Sequence, residues 1–261
     1  MGQRFLVSRA VLEKIIAAAD LSRTDTVLEI GPGLGTLTRA LAERAGRVIA
    51  VEKDGQLVEI LREKLAAEGF RNVELIHGDI LKLFPAHLPL PSGPYKVVAN
   101  IPYYLTGRLL RLLLSGAYPP KEMLLMVQKE VAERIVAKPP KTNLLTLAVQ
   151  AYGEPEALFR VPASAFHPRP RVDSALIRIK SIGKHFFIRH RLREEIFFKV
   201  LGAAFRGKRK TLENVLSKNL NVPKVRLRET LTALGLTGKR PEMLSLGEWG
   251  ELTRALTKKV E

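Results

Sequence analysis

The sequence predicts an α/β protein with a mostly parallel β-sheet, followed by a small all-α domain. Three observations support this prediction. Short apolar runs alternate with helical periodicity along the first two thirds of the chain, the first of these runs leads into a glycine-rich turn, and strand patterns give way to basic-apolar helical patterns near residue 181. Alternating strands and helices are typical of a parallel sheet that helices cover on both faces.

The composition indicates a nucleic-acid partner. The 261 residues can form one large and one small domain, and a hydrophobic content of 46% can fill a core. Lys and Arg number 43 against 26 Asp and Glu, and a formal net charge of +17 favours either nucleic acid or an anionic membrane surface. No apolar run approaches the roughly 18–20 residues that span a bilayer, so we expect no membrane partner.

The chain has no cysteine, which excludes disulfides, thiolate zinc sites and a cysteine nucleophile. This composition is typical of a reducing compartment, and the N-terminus lacks a signal-peptide pattern. We therefore expect a cytoplasmic protein, and the sequence predicts no metal site.

The elements follow in order from hydrophobic periodicity. Apolar residues recur at helical spacing over 10–19, and a strand pattern over 26–30 leads through the turn 31–35 into a helix over 36–45. A strand, a glycine-rich turn and a helix form the opening unit of a Rossmann-like fold. Further strands are predicted over 47–51, 73–77, 95–99, 144–152 and 174–179, and further helices over 56–68, 108–114 and 127–136.

The C-terminal region reads as helical throughout. Helical patterns cover 189–205, 216–236 and 246–256, and another helix opens at Thr211, with Pro223 and Pro241 among the breaks. We therefore predict two domains, 1–180 and 181–261.

Functional residue types stand at the ends of consecutive predicted strands. Gly31, Gly33 and Gly35 form the first turn, but Thr36 breaks the dinucleotide fingerprint and disfavours a nicotinamide-dependent dehydrogenase. Glu52 ends the second strand, where an acidic side chain can accept hydrogen bonds from both ribose hydroxyls. Taken alone, Glu52 could be an ordinary solvated carboxylate at a strand end. Asp79 follows the third strand and could accept from an adenine amino group, so together these strand ends predict an adenosine-shaped pocket.

The fourth of these strands ends in Asn100-Ile101-Pro102-Tyr103. This segment offers an amide, a fixed backbone carbonyl and a flat ring, which suit a planar base. An ordinary strand-to-loop turn would also use Asn and Pro. The three upstream strand ends favour the base-binding interpretation.

Six motifs follow one another in order along nearly the whole chain. They are Gly2-Gln3-Arg4-Phe5-Leu6, Glu29-Ile30-Gly31-Pro32-Gly33-Leu34-Gly35, Val51-Glu52-Lys53-Asp54, Gly78-Asp79-Ile80, Asn100-Ile101-Pro102-Tyr103 and Phe166-His167-Pro168-Arg169-Pro170-Arg171-Val172-Asp173-Ser174. Together they resemble the ribosomal RNA adenine dimethyltransferase family. The resemblance implies a Rossmann-like class I methyltransferase with a mostly parallel seven-stranded sheet and S-adenosyl-L-methionine as cofactor. It is greatest to the bacterial small-subunit type, which implies dimethylation of N6 of two adjacent adenines in a 3′-terminal hairpin loop of 16S rRNA.

The resemblance also implies roles for individual residues. Asn100, Ile101, Pro102, Tyr103 and Phe166 would form the catalytic site, with the target base between the rings of Tyr103 and Phe166. Cofactor contacts would come from the following residues: Gln3, Arg4, Leu6, Gly31, Gly33, Gly35, Glu52, Lys53, Asp79, Ile80 and Asn100.

The chemistry of the base suggests how such a site would act. The lone pair of the exocyclic nitrogen of adenine is delocalised, so an acceptor must draw its hydrogens out of the ring plane. The Asn100 side-chain oxygen and the Ile101 or Pro102 carbonyl could do this by positioning alone. No general base is required, because the proton can leave after the nitrogen becomes cationic.

A basic run in the C-terminal domain predicts RNA contacts. Arg206, Lys208, Arg209 and Lys210 place four cations within five residues, and RNA phosphate would relieve their repulsion. We expect the partner to be 16S rRNA within an immature 30S subunit, and the protein to act as a monomer. Two alternatives remain open: a 23S rRNA adenine methyltransferase of the erythromycin-resistance type, and a non-catalytic ribosome assembly factor on the same scaffold.

Overall fold

The computed structural model describes residues 4–207 and 210–257. The described residues form two compact units. The first contains the chain up to Glu133 together with Gly153–Ile182, and the second contains Arg134–Tyr152 together with the chain from Gly183 onward. This division differs from the predicted one in the segment 134–152, which belongs to the second unit.

The first unit contains a seven-stranded sheet in the order β4-β3-β2-β5-β6-β9-β7. Strands β2 to β6 pair in parallel, and β9 lies antiparallel between β6 and β7. The predicted mostly parallel seven-stranded sheet is therefore confirmed. A separate two-stranded antiparallel pair joins β1 to β8. The strands are β1 (Phe5–Leu6), β2 (Thr26–Ile30), β3 (Arg47–Glu52), β4 (Val73–His77), β5 (Lys96–Asn100), β6 (Glu122–Gln128), β7 (Glu154–Val161), β8 (Phe166–His167) and β9 (Ser174–Lys180).

Side-chain caps begin several helices between these strands. Asp54 and Asp79 each accept a hydrogen bond from a backbone N–H two residues later, and Ser8 does so three residues later. Such caps satisfy N–H groups that have no partner within the helix. The first six helices are α1 (Arg9–Ala19), α2 (Thr36–Ala42), α3 (Gly55–Ala67), α4 (Ile80–Leu83), α5 (Thr106–Ser115) and α6 (Lys129–Ile135).

The central strands are buried on both faces. Val27 and Leu28 of β2 and Val48 and Ile49 of β3 are all fully buried. Consecutive residues of a strand point to opposite faces, so both faces of the sheet are covered. This explains why the sequence shows unbroken apolar runs here instead of alternation.

The second unit is helical. The indole ring of Trp249 and the ring of Phe197 are completely buried, and Phe197 packs edge-on against Phe187. The hydroxyl of Thr142 donates to the Glu242 carbonyl oxygen at 2.9 Å, which fixes the start of the first helix against a distant turn of the same unit. The helices are α7 (Leu144–Gln150), α8 (His185–His190), α9 (Glu194–Phe205), α10 (Leu212–Leu220), α11 (Lys224–Ala233) and α12 (Leu246–Thr257).

The prediction of a strand over 144–152 is wrong, because this segment forms α7. Asn143 caps the helix by accepting from two backbone N–H groups, and Thr146 completes a capping box. A short apolar run satisfies strand and helix patterns equally, so the cap decided the outcome. The antiparallel edge strand is instead β7, which opens with Glu154, Pro155 and Glu156 and so lacks an apolar signal.

Two predicted helices also differ from the structure. The helix predicted over 127–136 begins only at Lys129, because residues up to Gln128 belong to β6. The helix predicted over 189–205 is divided into α8 and α9. Arg191 has a left-handed φ of 53°, which ends α8.

The burial of β2 leads to a stability prediction. Leu28 is 0% exposed, so Leu28→Ala should remove packing and leave a cavity, at a cost of about 2–5 kcal/mol in the free energy of unfolding. The measurement is urea denaturation followed by circular dichroism. Val7→Ala, at an exposed position, serves as control and should change the free energy by less than about 0.5 kcal/mol. Equal effects of the two substitutions would contradict this account of the core.

Candidate active site

A cavity opens at the carboxyl edge of the parallel strands. The strand order reverses between β2 and β5, and in open α/β sheets ligands bind at this topological switch point. The lining residues belong to the first unit and come from the ends of β2, β3, β4 and β5 and from the N-terminal segment. They include Arg4, Phe5, Leu6, Glu29, Gly31, Gly33, Glu52, Lys53, Asp79, Ile80, Asn100, Ile101, Pro102, Tyr103, Tyr104 and Arg108.

The turn after β2 requires glycine. Gly31, Gly33 and Gly35 have φ angles of 71°, 59° and 83°, which side chains rarely adopt. A Cβ on Gly33 would also lie 3.0 Å from the Phe5 ring. Gly31 and Gly33 line the cavity, whereas Gly35 does not and instead starts α2, where a Cβ would meet Leu61. The predicted glycine-rich turn thus brings bare backbone to the cavity through its first two glycines.

Glu52 is buried at the end of β3, and backbone groups hold its carboxylate. One oxygen accepts from the N–H groups of Lys53 and Asp54 at 2.8 and 3.0 Å, and the other accepts from Gly33 N–H at 3.1 Å. Three such donors keep the carboxylate fixed at the cavity wall. The contact with Gly33 ties the ends of β2 and β3 together.

Asp79 follows β4 and keeps its charge. Its Oδ1 accepts from Leu81 N–H at 3.0 Å and its Oδ2 from the Lys53 ammonium at 3.0 Å. The hydrogen bond from Lys53 is the main cause that lowers the pKa of this carboxyl below its usual value. Asp79 is therefore an anionic acceptor on the cavity wall.

Glu29 is a cavity-lining residue that the sequence analysis did not assign to the site. Its side chain is 1% exposed, and Oε2 has no hydrogen-bond partner within residues 4–207 and 210–257. Burial raises its pKa to about 8, and the neighbouring charge of Glu52 acts in the same direction. The available signal was the acidic residue inside the apolar run Thr-Val-Leu-Glu-Ile of β2.

Asn100 ends β5 with its amide in a defined orientation. The Nδ2 group donates to the Arg4 carbonyl oxygen at 3.1 Å, which leaves Oδ1 as an acceptor. The carbonyl of Pro102 already accepts from Leu105 N–H at 2.8 Å, while Ile101 donates its N–H to Met126 at 3.3 Å. The N-terminal segment thus sets which atom of the Asn100 amide remains available.

Tyr103 is half-buried at the cavity, and a hydrogen bond holds its hydroxyl. The hydroxyl lies 2.9 Å from Oγ of Ser174, which is fully buried at the start of β9. Rotation of the side chain about its Cα–Cβ bond would move the hydroxyl and break this hydrogen bond. The structure therefore links the residues that follow β5 to the last residue of the motif that begins at Phe166.

The structure places Phe166 apart from the cavity lining. Its ring is 3% exposed, it stands opposite Leu6 in the pairing of β8 with β1, and it packs in the hydrophobic core with Ile15. Stacking of a base on Phe166 stays a prediction that this arrangement does not display. Gln3, also assigned to the cofactor, lies outside the described residues.

The cavity fits a nucleoside cofactor with a positively charged end. The carboxylates of Glu52 and Asp79 stand where a ribose and an adenine amino group would need acceptors. The buried Oε2 of Glu29 has no hydrogen-bond partner within the described residues, and a cationic ligand could serve as its partner. With the reversed strand order and the bare turn after β2, these features define a Rossmann-like class I methyltransferase that uses S-adenosyl-L-methionine.

Comparison with known proteins identifies the family. The model of the ribosomal RNA adenine dimethylase family matches residues 1–237, so the chain belongs to this family. It is 47% identical over 97% of its length to the ribosomal RNA small subunit methyltransferase A of Dehalococcoides mccartyi strain BAV1, covering 86% of that protein. It is 40% identical over its full length to the protein of that name from Alkaliphilus oremlandii, covering 92% of it.

Solved structures agree with this assignment. The crystal structure of a dimethyladenosine transferase from Plasmodium falciparum superposes with a TM-score of 0.84 at 29% identity, covering 98% of both chains. The 23S rRNA methyltransferase ErmE superposes with a TM-score of 0.75 at 27% identity, covering 97% of this chain and 99% of the other. The predictions of an rRNA adenine dimethyltransferase and of S-adenosyl-L-methionine as its cofactor are confirmed.

The raised pKa of Glu29 leads to a prediction for pH dependence. Folded protein retains the proton up to about pH 8, whereas an unfolded chain releases it near 4.5. The folded state therefore binds more protons in this window, and its stability should fall as pH rises, by up to about 1.4 kcal/mol per pH unit. In Glu29→Gln, this decrease in stability with rising pH should be absent. Urea denaturation at several pH values between 5 and 8 measures the difference.

Asp79→Asn is the matched control, because the pKa of Asp79 is shifted in the opposite direction. This substitution should change the pH dependence of stability only below about pH 3.8, the usual pKa of an Asp carboxyl group. In that range protonation removes the stability that the ionised form contributes. Identical slopes for the wild type and Glu29→Gln between pH 5 and 8 would show that Glu29 does not hold a proton.

Proposed function

We propose that this protein dimethylates N6 of two adjacent adenines in a 3′-terminal hairpin loop of 16S rRNA and acts in small-subunit biogenesis. The observation that carries the base chemistry is the Asn100 amide, whose nitrogen is bound to Arg4 and whose oxygen remains an acceptor at the cavity. The small-subunit assignment is supported by relatives at 40–47% identity over nearly the whole chain that bear the name small subunit methyltransferase A.

The cavity residues divide the task of holding the cofactor. Glu52 would accept from the ribose hydroxyls and Asp79 from the adenine amino group, with Lys53 keeping Asp79 anionic. Ile80 is buried beside Asp79 and would contact the adenine ring. The remaining part of the cofactor would contact Asn100 and the backbone around Arg4, Leu6, Gly31 and Gly33. When bound, S-adenosyl-L-methionine supplies an electrophilic methyl group.

Asn100 and Ile101 would orient the nucleophilic nitrogen. The Asn100 Oδ1 and a backbone carbonyl would accept the two N6 hydrogens and draw them out of the ring plane, so that the lone pair faces the methyl group. We assign the carbonyl to Ile101, because that of Pro102 is already used by Leu105. No side chain has to remove the proton, since it leaves readily from a cationic nitrogen.

Tyr103 would hold the target base by stacking. Its hydrogen bond to Ser174 holds the far end of the side chain in one position at the cavity, so less side-chain freedom is lost when the base binds. Base stacking on an aromatic ring contributes about 1–3 kcal/mol, which offsets the cost of removing the base from its loop. Phe166 would take part only if its ring became accessible from the core.

The basic helical region would hold the RNA. Arg206 and Lys210 are exposed and form no ion pair within the part of the chain that the structure describes, and Lys208 and Arg209 lie outside the described residues. Phosphate contacts position RNA without reading its sequence, so we propose that residues 181–261 bind RNA and that residues 1–180 carry the methyltransferase site, except for segment 134–152, which belongs to the helical unit. No helix of residues 4–207 and 210–257 is long and apolar enough to cross a membrane.

We further propose that the enzyme acts as a monomer on an immature 30S subunit. A target inside a ribosomal particle would place the enzyme in the cytoplasm. The chain has 43 basic residues against 26 acidic ones, and this positive charge suits a particle surface rich in phosphate. A large basic surface raises association rates with such a polyanion.

A second candidate is an enzyme that acts on 23S rRNA. The similarity to ErmE, a 23S rRNA methyltransferase, supports this candidate. Both candidates use the same chemistry at Asn100, so only the methylated molecule distinguishes them. A non-catalytic assembly factor is the remaining alternative, and absence of cofactor binding in titration calorimetry would support it.

The proposed chemistry predicts the effect of removing the Asn100 amide. Asn100→Ala should lower transfer of tritiated methyl groups to 16S rRNA in unmethylated 30S particles by at least about 100-fold, because it removes a preorganised acceptor. Thermal unfolding should show that the variant folds. Ile60→Ala, at an exposed position of α3 that does not line the cavity, serves as the control and should retain full transfer.

The location of the label tests the substrate. Dimethyladenosine recovered by mass spectrometry from a 16S fragment near the 3′ end supports the small-subunit assignment. Label recovered only from 23S rRNA would instead establish the second candidate. Full activity of Asn100→Ala would contradict the proposed chemistry with either substrate.

The basic segment predicts a change in the salt dependence of RNA binding. Each phosphate contact contributes about 0.7–0.9 to the slope of log affinity against log salt concentration. Replacing both Arg206 and Lys210 by Ala should therefore reduce this slope by up to about 2, as measured by fluorescence anisotropy with labelled RNA. Glu195→Gln, at an exposed acidic position, should not reduce the slope. An unchanged slope in the double variant would place the RNA elsewhere.

A further inference from the structure

Tyr104 is the most exposed of the large hydrophobic side chains in the described residues. Its side chain is 75% exposed, yet it lines the same cavity as Tyr103 and Asn100. A single exposed aromatic ring on a surface needs no explanation, but one at the mouth of a nucleoside cavity does. The proposed role of Tyr103 leaves Tyr104 unused.

The local backbone directs the two tyrosine rings differently. Tyr103–Leu105 form a 3-10 turn, in which three residues complete one turn. Consecutive side chains therefore point about 120° apart. The Tyr103 hydroxyl is anchored to buried Ser174, whereas no hydrogen bond or ring contact holds the Tyr104 side chain within residues 4–207 and 210–257. The two rings cannot stack on the same base, but they can stack on two successive bases.

Arg108 supplies a cation at the same cavity. It is exposed, it lines the cavity, and it has no hydrogen bond or ion pair within the described part of the chain. It also lies in the first turn of α5, which contains no acidic residue and where the helix dipole disfavours a cation. An anionic ligand would stabilise Arg108 in this position.

We propose that Tyr104 and Arg108 bind the nucleotide next to the target adenine in the RNA. Tyr104 stacks on its base, and Arg108 contacts the phosphate that joins it to the target nucleotide. This inference rests on the proposed function, because it needs a target adenine at Asn100 and Tyr103. A nucleic acid fits this surface better than a protein partner, since both a flat ring and an unpaired cation stand beside a base-binding cavity.

The subsite has a consequence for substrate choice. A neighbouring base that stacks poorly or is missing weakens RNA binding, while cofactor binding does not change. Because an RNA strand has a direction, this subsite lies on one side of the target nucleotide. It therefore holds the second adenine of the pair during methylation of only one of the two adenines. Tyr104 therefore favours substrates in which the nucleotide beside the target is also unpaired.

The test combines variants of Tyr104 with RNAs that lack the neighbouring base. Cofactor-loaded protein is titrated with a labelled single-stranded RNA containing the adenine pair, and with the same RNA carrying an abasic site beside the target. Tyr104→Ala should weaken binding of the intact RNA by about 5- to 150-fold, and Tyr104→Phe should bind as the wild type does. Tyr118→Ala, 43% exposed and outside the cavity lining, is the control.

The abasic RNA separates stacking from a general loss of binding. The wild type should lose about the same factor on the abasic RNA, and Tyr104→Ala should bind both RNAs equally. Arg108→Gln should reduce the salt slope of binding by up to about 1. Calorimetry should give unchanged cofactor affinity for Tyr104→Ala and Arg108→Gln.

Two results would overturn the inference. Wild-type affinity of Tyr104→Ala for the intact RNA would show that its ring does not contact the substrate. If Tyr104→Ala also bound the abasic RNA more weakly than the wild type does, by the same factor as on the intact RNA, its ring would not stack on the neighbouring base. The proposed function fails separately, through the absence of methyl transfer by the wild-type protein to ribosomal RNA.

Discussion

Parallel pairing of β2 with β3 on one side and with β5 on the other is the constraint on which the site depends. It brings the turn after Ile30, the carboxylate of Glu52 and the amide of Asn100 to one edge of the sheet, although they are far apart in the chain. Because these strands are buried on both faces, their register is fixed by packing. A shift of one residue would remove the polar groups from the cavity.

The polar groups of the site are oriented by local contacts before any ligand binds. Backbone N–H groups hold Glu52, Lys53 holds Asp79, the Arg4 carbonyl holds the Asn100 nitrogen, and Ser174 holds Tyr103. Preorganised acceptors stabilise a transition state without the cost of reorganisation. Glu29 differs, because the burial of its carboxyl group favours the neutral form and outweighs the opposing interaction with Thr38. Its charge state is the property of the site most sensitive to a cationic ligand.

Segments distant in sequence complete the arrangement around β5. Arg4 precedes β1, and Ser174 opens β9, so the N-terminal segment and the last strand both support residues that follow β5. The pairing of β1 with β8 buries Phe166 next to the same region. Tyr104 and Arg108 line the same cavity, but neither side chain has such a hydrogen bond within the described residues.

The sequence by itself determined the α/β class, the strands that build the site and the positions of Glu52, Asp79 and Asn100. Apolar runs buried on both faces are strong local signals, and the carboxyl ends of parallel strands must meet at one edge. Only the tertiary structure decided that Leu144–Gln150 form a helix, that Phe166 is buried, and that burial raises the pKa of Glu29. A helix cap outweighed an ambiguous pattern in the first case, and burial depends on neighbours that are distant in the chain in the other two.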